Sequence, residues 1–69
     1  ERFKARGNEL FRAGKFADAM TEYGKAINEH PDNPVYYNNR AMACLKIFRF
    51  EQAEEDCNRA LQFDLKEAD

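Results

Sequence analysis

An internal repeat of 34 residues is the feature that most constrains the fold of this chain. Shifting the sequence by 34 positions aligns small residues with small ones and bulky with bulky at these pairs: Gly7 with Ala41, Phe16 with Phe50, Ala19 with Ala53, Tyr23 with Cys57, Ala26 with Ala60, and Ile27 with Leu61. A period of this length, built from two helical patterns and a short turn, is typical of arrays of stacked helix–turn–helix units. The sequence therefore predicts an all-α fold of two tandem units, residues 1–33 and 34–69.

Four segments show apolar or small residues at helical spacing, and they predict four antiparallel helices, near residues 1–13, 16–30, 34–47 and 50–63. Gly14 can adopt the positive φ that ends a helix. The segment 30–34 contains two prolines and separates the units, because proline excludes the helical region for the residue before it. Residues 65–69 are expected to form a frayed tail or the start of another helix.

The same spacing predicts which side chains are buried in the second unit. The third helix is expected to bury Tyr37, Ala41, Cys44 and Leu45, and the fourth helix Ala53, Cys57, Ala60 and Leu61. Small residues at these positions let helices approach closely, while five aromatic residues are expected to fill the larger gaps: Phe3, Phe16, Tyr23, Tyr37 and Phe50. An aromatic pattern of this kind indicates a packed core and not a cofactor site.

Composition excludes several classes of function. A chain of 69 residues with 43% hydrophobic content is one small domain, and its formal charge of −2 argues against a nucleic-acid partner. It contains no apolar run near the roughly 20 residues that span a bilayer, and no signal-peptide pattern. We therefore expect a soluble, unprocessed, cytoplasmic protein with no membrane contact.

The residue types that carry catalysis or bind metals are sparse. Cys44 and Cys57 are the only cysteines, without a C-x-x-C motif and with a single histidine, so neither a zinc site nor a disulfide framework is indicated. Both thiols are expected to be small buried hydrophobic groups in a reducing compartment. The acidic run 51–56 has no apolar neighbours to raise a carboxyl pKa, which favours a solvated outer face over general acid–base chemistry. We expect no cofactor and no enzymatic activity.

The two units resemble tetratricopeptide repeats over nearly the whole chain. Residues 4–31 read KARGNELFRAGKFADAMTEYGKAINEHP, and residues 36–61 read YYNNRAMACLKIFRFEQAEEDCNRAL. The resemblance implies two helical hairpins that form part of a right-handed superhelix. Two departures stand out. Phe48 replaces the usual turn glycine, so the second turn should be wider or strained unless the ring packs away, and Leu65 replaces the repeat-ending proline, which would let the last helix continue.

Two shorter motifs resemble the co-chaperone branch of that family: Lys4-x-x-Gly7-Asn8 in the first repeat and Asn39-Arg40-Ala41 in the second. Members of this branch bind the C-terminal tail of cytosolic heat-shock chaperones of the seventy- and ninety-kilodalton classes. That tail is acidic and ends Glu-Glu-Val-Asp with a free carboxylate. By this resemblance Lys4, Asn8 and Asn39 fall on three of the five carboxylate-clamp positions. The other two, a Lys and an Arg, belong to a third repeat that these 69 residues do not contain.

The chemistry of these side chains agrees with capture of a terminal carboxylate. Lys4 and Asn8 are four residues apart and share one helix face, and an ammonium with two amides supplies donors without adding a repelling carboxylate. The first helix of each unit is net basic and the second is net acidic, which would make the concave groove positive. Four further residues could contact the peptide, although Met42 and Leu45 are as well explained by core packing: Arg12, Met42, Leu45 and Lys46.

Three other interpretations remain open from the sequence. The repeats could be a scaffold that assembles complexes through helix packing and ignores terminal carboxylates. They could also be the docking arm of an enzyme such as a phosphatase or prolyl isomerase. Finally, because about three repeats are normally needed for stability, the chain could be a fragment of a longer co-chaperone, with an apolar end at Leu61, Phe63 and Leu65 that pairs with a second copy.

Overall fold

Four helices follow one another in the computed structural model, which describes residues 2–67, with side chains for residues 2–64. They are α1 (Arg2–Arg12), α2 (Phe16–Glu29), α3 (Pro34–Lys46) and α4 (Phe50–Glu67). Each helix packs against the next one along the chain. The predicted pair of tandem helical hairpins is confirmed, and the described part of the chain contains no strand. In agreement with the missing proline, α4 continues through Leu65.

The turn between α1 and α2 ends α1 with a pair of backbone hydrogen bonds. The Gly14 N–H donates to the Phe11 carbonyl at 3.0 Å, and the Lys15 N–H donates to the Leu10 carbonyl at 2.8 Å. This is the Schellman arrangement, which requires a left-handed residue at its centre. Gly14 supplies it with a φ of 81°, as predicted.

The turn between α3 and α4 has the same pair of hydrogen bonds but a different central residue. The Phe48 N–H donates to the Leu45 carbonyl at 3.2 Å and the Arg49 N–H to the Cys44 carbonyl at 2.9 Å. Phe48 is held at a φ of 64°, and its side chain is 76% exposed. The turn is therefore strained and not wider, and the ring does not pack away. A left-handed conformation costs a residue with a β-carbon roughly 1–2 kcal/mol.

The connection between the two hairpins is fixed by a helix cap. The Asn33 side chain accepts a hydrogen bond from the Val35 N–H at 2.9 Å, and Pro34 occupies the first turn of α3, where its missing donor is not needed. The Tyr37 hydroxyl then donates to the Pro31 carbonyl at 2.6 Å. These contacts hold the second hairpin against the first.

The core consists mainly of small and aromatic side chains from the helix interfaces. Its buried hydrophobic members are Ala19, Tyr23, Ala26, Ile27, Tyr36, Tyr37, Ala41, Ala43, Cys44, Ala53 and Ala60. The predicted burial of Tyr37, Ala41 and Cys44 in the third helix is confirmed.

Four residues predicted to be buried are exposed instead. Leu45 is 49% exposed, Leu61 58% and Phe50 60%, and Cys57 is also exposed. The repeat explains two of these errors, because Cys57 and Leu61 are counterparts of Tyr23 and Ile27, whose face on α2 is covered by α3. Among the described residues, no helix covers the matching face of α4.

The end of α4 was the predicted site of self-pairing. Phe63 is half-buried, and its ring stacks on that of Tyr37 with centroids 5.6 Å apart, while Leu61 remains exposed. The side chain of Leu65 lies outside the described residues. Within residues 2–67, no helix combines the length and apolar character needed to cross a membrane.

Candidate peptide-binding groove

Helices α1 and α3 line a small pocket, which we call the groove, with one side chain of α2 between them. The pocket has a volume of 110 Å³ and is lined by Asn8, Phe11, Tyr23, Asn39 and Met42. It therefore brings together Asn8 and Asn39, two of the three predicted clamp residues, and the possible peptide contact Met42. This volume suits a few water molecules or a group the size of a carboxylate.

Tyr23 orients the amide of Asn8. The Tyr23 hydroxyl donates to Asn8 Oδ1 at 2.6 Å, which occupies the acceptor end of the amide and leaves its N–H groups for another partner. Burial raises the pKa of Tyr23 against the opposing charge of Arg12, so the hydroxyl remains protonated and able to donate at neutral pH. The sequence predicted Tyr23 only as a core residue.

Gly7 makes this contact possible. A β-carbon at position 7 would lie 2.5 Å from Cε1 of Tyr23, well inside contact distance. The absent side chain lets the Tyr23 ring lie against α1 and reach Asn8. The Gly7-Asn8 pair of the sequence motif thus acts with a tyrosine sixteen positions away from the glycine.

Lys4 and Arg12 lie one helical turn before and after Asn8 on the same face of α1. Lys4 is half-buried and forms no ion pair or hydrogen bond with any described side chain, and Arg12 is exposed. Neither lines the pocket itself. Their charges flank it along α1, and the charge of Arg12 opposes the rise in the Tyr23 pKa that burial causes.

The α3 side of the groove is less polar. Asn39 is half-buried without a hydrogen-bond partner among the described side chains, while Met42 is 55% exposed. Lys46 follows Met42 by one turn and is exposed, in the position that Arg12 has in the first hairpin. Leu45 and Lys46, the other two possible peptide contacts on α3, do not line the pocket.

Two of the six basic residues on α1 and α3 do not contribute to the groove, because they form ion pairs with the following helix. Arg6 Nε lies 3.6 Å from Glu22 Oε1, and Arg40 Nη2 lies 2.8 Å from Asp56 Oδ1. The positive charge predicted for the groove is therefore reduced to that of Lys4, Arg12, Lys46 and the terminal Arg2.

Asp56 departs from the prediction that the acidic run 51–56 forms a solvated outer face, whereas Glu51, Glu54 and Glu55 are exposed as predicted. Asp56 is only 1% exposed; it accepts from Arg40 Nε at 2.9 Å, from Arg40 Nη2 at 2.8 Å and from Gln52 Nε2 at 3.1 Å. The hydrogen bond to Asp56 raises the pKa of Arg40 against the effect of burial. The 34-residue repeat could have revealed this pair, because Arg40 and Asp56 occupy the positions in the second unit that Arg6 and Glu22 occupy in the first.

The described residues offer donors for binding but no set of metal ligands. No group of three or more His, Cys, Asp or Glu side chains in this part of the chain could hold a metal ion.

The buried Cys44 packs against a methionine outside the groove. Its Sγ lies 3.7 Å from Met20 Sδ, and burial raises the pKa of its thiol. What the groove can do chemically is donate hydrogen bonds to an anionic ligand.

The fold and the groove together define a helical-repeat module for protein–protein interaction. Family models described as TPR repeat and tetratricopeptide repeat match residues 7–47 and 34–66 respectively. The chain therefore belongs to the tetratricopeptide repeat family, as its two helical hairpins also indicate.

Three relatives are similar over most of the chain. Stress-induced-phosphoprotein 1 of Caenorhabditis elegans is 36% identical over 63 residues, which is 91% of this chain and 20% of that protein. The heat shock protein sti1 homolog of Schizosaccharomyces pombe is 39% identical over 93% of this chain and 11% of its own length. The inactive TPR repeat-containing thioredoxin TTL3 of Arabidopsis thaliana is 43% identical over 88% of this chain and 9% of its own length. The chain thus spans a fifth or less of these relatives.

Proposed function

We propose that this module is a non-catalytic co-chaperone adaptor of the cytoplasm that binds the acidic C-terminal tail of heat-shock chaperones, of the kind ending Glu-Glu-Val-Asp. The observation that carries the proposal is the pairing of two amides across one pocket. Asn8 has its acceptor occupied by Tyr23 and its donors available, and Asn39 has no partner among the described side chains.

The energetics of this arrangement favour a carboxylate as ligand. Amide donors bind an anion without prior loss of a competing ion pair, and charge-assisted hydrogen bonds contribute about 1.5–3 kcal/mol each when well formed. Lys4 adds a positive charge one turn away. With two repeats only part of the family's clamp is present, so we expect weaker binding than a complete clamp would give.

The relatives support a link to chaperones in general terms. Two of them carry the words heat shock protein and stress-induced in their names. A third is an inactive thioredoxin with the same kind of repeats, which shows that such modules occur beside other domains.

A second candidate function is favoured by the uncovered face of α4. Leu61 is 58% exposed and Cys57 is exposed, whereas their counterparts on α2 are buried under α3. A second copy or another scaffold partner could cover this face without using the groove. The two functions are separable, because self-association should not depend on Lys4, Asn8 or Asn39.

The experiment that tests the proposal is a calorimetric titration with one peptide ending Glu-Glu-Val-Asp in two forms, one with a free C-terminus and one amidated. We expect the free acid to bind and the amide not to bind. We also expect affinity to fall as salt rises, because the contribution of the Lys4 charge is screened. Equal binding of both forms would exclude carboxylate capture.

Matched variants connect the binding to the groove. Asn8→Asp keeps an acceptor for the Tyr23 hydroxyl but replaces the amide donors by a repelling charge, so we expect a loss of more than tenfold in affinity. The same change at the exposed Asn58 on α4 adds an equal charge away from the groove and should have little effect. Lys4→Ala should weaken binding, while the control Lys15→Ala at the exposed first turn should not.

A further inference from the structure

Two phenylalanines are exposed side by side at the second turn. Phe48 is 76% exposed and Phe50 60% exposed, and their rings meet edge to face with centroids 6.1 Å apart. They border an open hollow of 570 Å³ whose other lining residues are polar: Arg49, Glu51, Gln52 and Glu55. We call this surface, residues 48–52 with Glu55, the aromatic edge. It shares no lining residue with the groove.

The backbone at the aromatic edge is strained in a way that the fold does not require. Gly14 makes the first turn with the same pair of hydrogen bonds and without a side chain. Phe48 adopts a positive φ of 64°, yet its ring remains mostly in solvent, so burial in this chain does not compensate for the strain. Strained residues and exposed apolar surface both occur preferentially at functional sites.

The aromatic residue that follows each turn also differs between the hairpins. Phe16 after the first turn packs edge to face on Phe11, with centroids 5.1 Å apart, and is half-buried. Its counterpart Phe50 pairs with Phe48 instead and is largely exposed. The first turn thus directs its aromatic ring into the molecule, whereas the second leaves two rings exposed to solvent.

Charge and area indicate the kind of partner. Glu51, Glu54 and Glu55 are exposed and form no ion pair with a described residue. Arg49 is the one basic residue that lines the hollow, and Arg59 lies with Glu55 on the next surface along α4. A stable dimer buries roughly 800 Å² on each copy, whereas two partly exposed phenylalanine rings offer about a third of that area. A short peptide therefore fits this surface better than a second copy does.

We propose that the aromatic edge is a second peptide-docking surface, which binds a segment with an aliphatic side chain flanked by lysine or arginine. The aliphatic group lies against the rings of Phe48 and Phe50, and the basic groups face the carboxylates of Glu51 and Glu55. No terminal carboxylate is involved. This surface therefore works independently of the groove and of the function proposed for it.

The test uses the 69-residue chain with its phenylalanine rings labelled for NMR. The probe is an amphipathic leucine–lysine peptide, acetylated and amidated so that it offers no terminal charge, and it is compared with the same peptide in which glutamate replaces lysine. We expect the lysine peptide to shift the ring signals of Phe48 and Phe50, and to bind at least tenfold more tightly than the glutamate peptide at low salt.

Phe48→Gly is the decisive variant because it removes a ring while giving the turn the residue that the first hairpin uses. We expect it to keep the fold and to lose at least tenfold in affinity for the lysine peptide. Val35→Ala, which also shortens an exposed apolar side chain but lies at the start of α3, should bind as the unaltered chain does.

Several results would overturn the proposal. These are no shift of the two rings at millimolar peptide, equal binding by Phe48→Gly, or preference for the glutamate peptide. Ring shifts that depend on protein concentration without peptide would identify a second copy as the occupant and would also contradict it.

Discussion

The two hairpins share one backbone plan but solve the packing between their helices differently. In the first, Gly7 leaves room for Tyr23, which is buried and bonds to Asn8. In the second, Ala41 stands in place of the glycine and Cys57 in place of the tyrosine. The alanine methyl group occupies the room that Gly7 leaves open, and the thiol is too short to do what the tyrosine ring does. Only the first hairpin therefore holds its groove amide with a tyrosine hydroxyl, whereas Asn39 of the second hairpin has no such partner among the described side chains.

The hairpins differ as well in what surrounds them. Helix α2 packs against both α1 and α3, whereas the main packing partner of α4 among the described helices is α3. Ile27 on α2 is 8% exposed, and its counterpart Leu61 on α4 is 58% exposed. A position in the repeat determines which direction a side chain faces, but the neighbouring helix determines whether it is buried.

The largest expected effect is on stability, and it distinguishes the buried Arg40–Asp56 ion pair from its counterpart in the first hairpin, Arg6–Glu22. Asp56→Ala leaves the half-buried guanidinium of Arg40 without its carboxylate, and we expect it to lower the free energy of unfolding by about 3 kcal/mol. Glu22→Ala should cost less than about 1 kcal/mol, because both ion-pair partners of Glu22, Arg6 at 3.6 Å and Lys25 at 3.4 Å, are largely exposed. Thermal and urea unfolding followed by circular dichroism measures both, and equal losses would contradict this account.

The next effect concerns the close contact of Gly7 with Tyr23. Gly7→Ala should lower the free energy of unfolding by about 1–3 kcal/mol, because the added methyl group overlaps the buried ring. At an ordinary helical position the same change would stabilise the helix by about 1 kcal/mol. A rise in stability in urea unfolding would show that the ring moves aside easily. Binding of the acidic peptide should also weaken in this variant.

Substitutions at the two turns should change the free energy of unfolding by smaller amounts and in opposite directions. Phe48→Gly should raise the free energy of unfolding by up to about 1 kcal/mol, since glycine adopts a positive φ without strain. Gly14→Ala should lower it by about 1 kcal/mol for backbone reasons alone, because nothing lies within 4 Å of the added β-carbon. The midpoints of urea unfolding show whether each variant is more or less stable than the unaltered chain. Destabilisation by Phe48→Gly would indicate that the ring stabilises the turn.

The smallest effect is a difference in reactivity between two thiols, the buried Cys44 on α3 and the exposed Cys57 on α4. Cys57 is exposed and should react readily with an alkylating reagent, whereas Cys44 is buried and burial raises the pKa of its thiol, so less of the reactive thiolate forms. Mass spectrometry of the folded chain should show one modified cysteine, and two after denaturation. Similar rates at both sites would mean that α3 and α4 separate often.

The helical part of this structure was predictable because the apolar spacing, the glycine, the prolines and the 34-residue period all indicate the same elements. The sequence did not reveal that Asp56 is buried, because an acidic run suggests a solvated face unless its partner Arg40 is identified through the repeat. Leu45, Cys57 and Leu61 were wrongly predicted as buried, since spacing does not show where an array lacks a neighbour. Whether Lys4, Asn8 and Asn39 form a site remains a prediction that their geometry supports.

The measurement that tests the groove most directly is the NMR signal of the Asn8 and Asn39 side-chain amides during titration with the free-acid and amidated peptides. We expect both amide signals to shift with the free-acid peptide, as new hydrogen bonds form, and to remain unchanged with the amidated peptide. If the free acid binds while both amide signals stay in place, the carboxylate is held elsewhere and the proposed role of the groove is wrong.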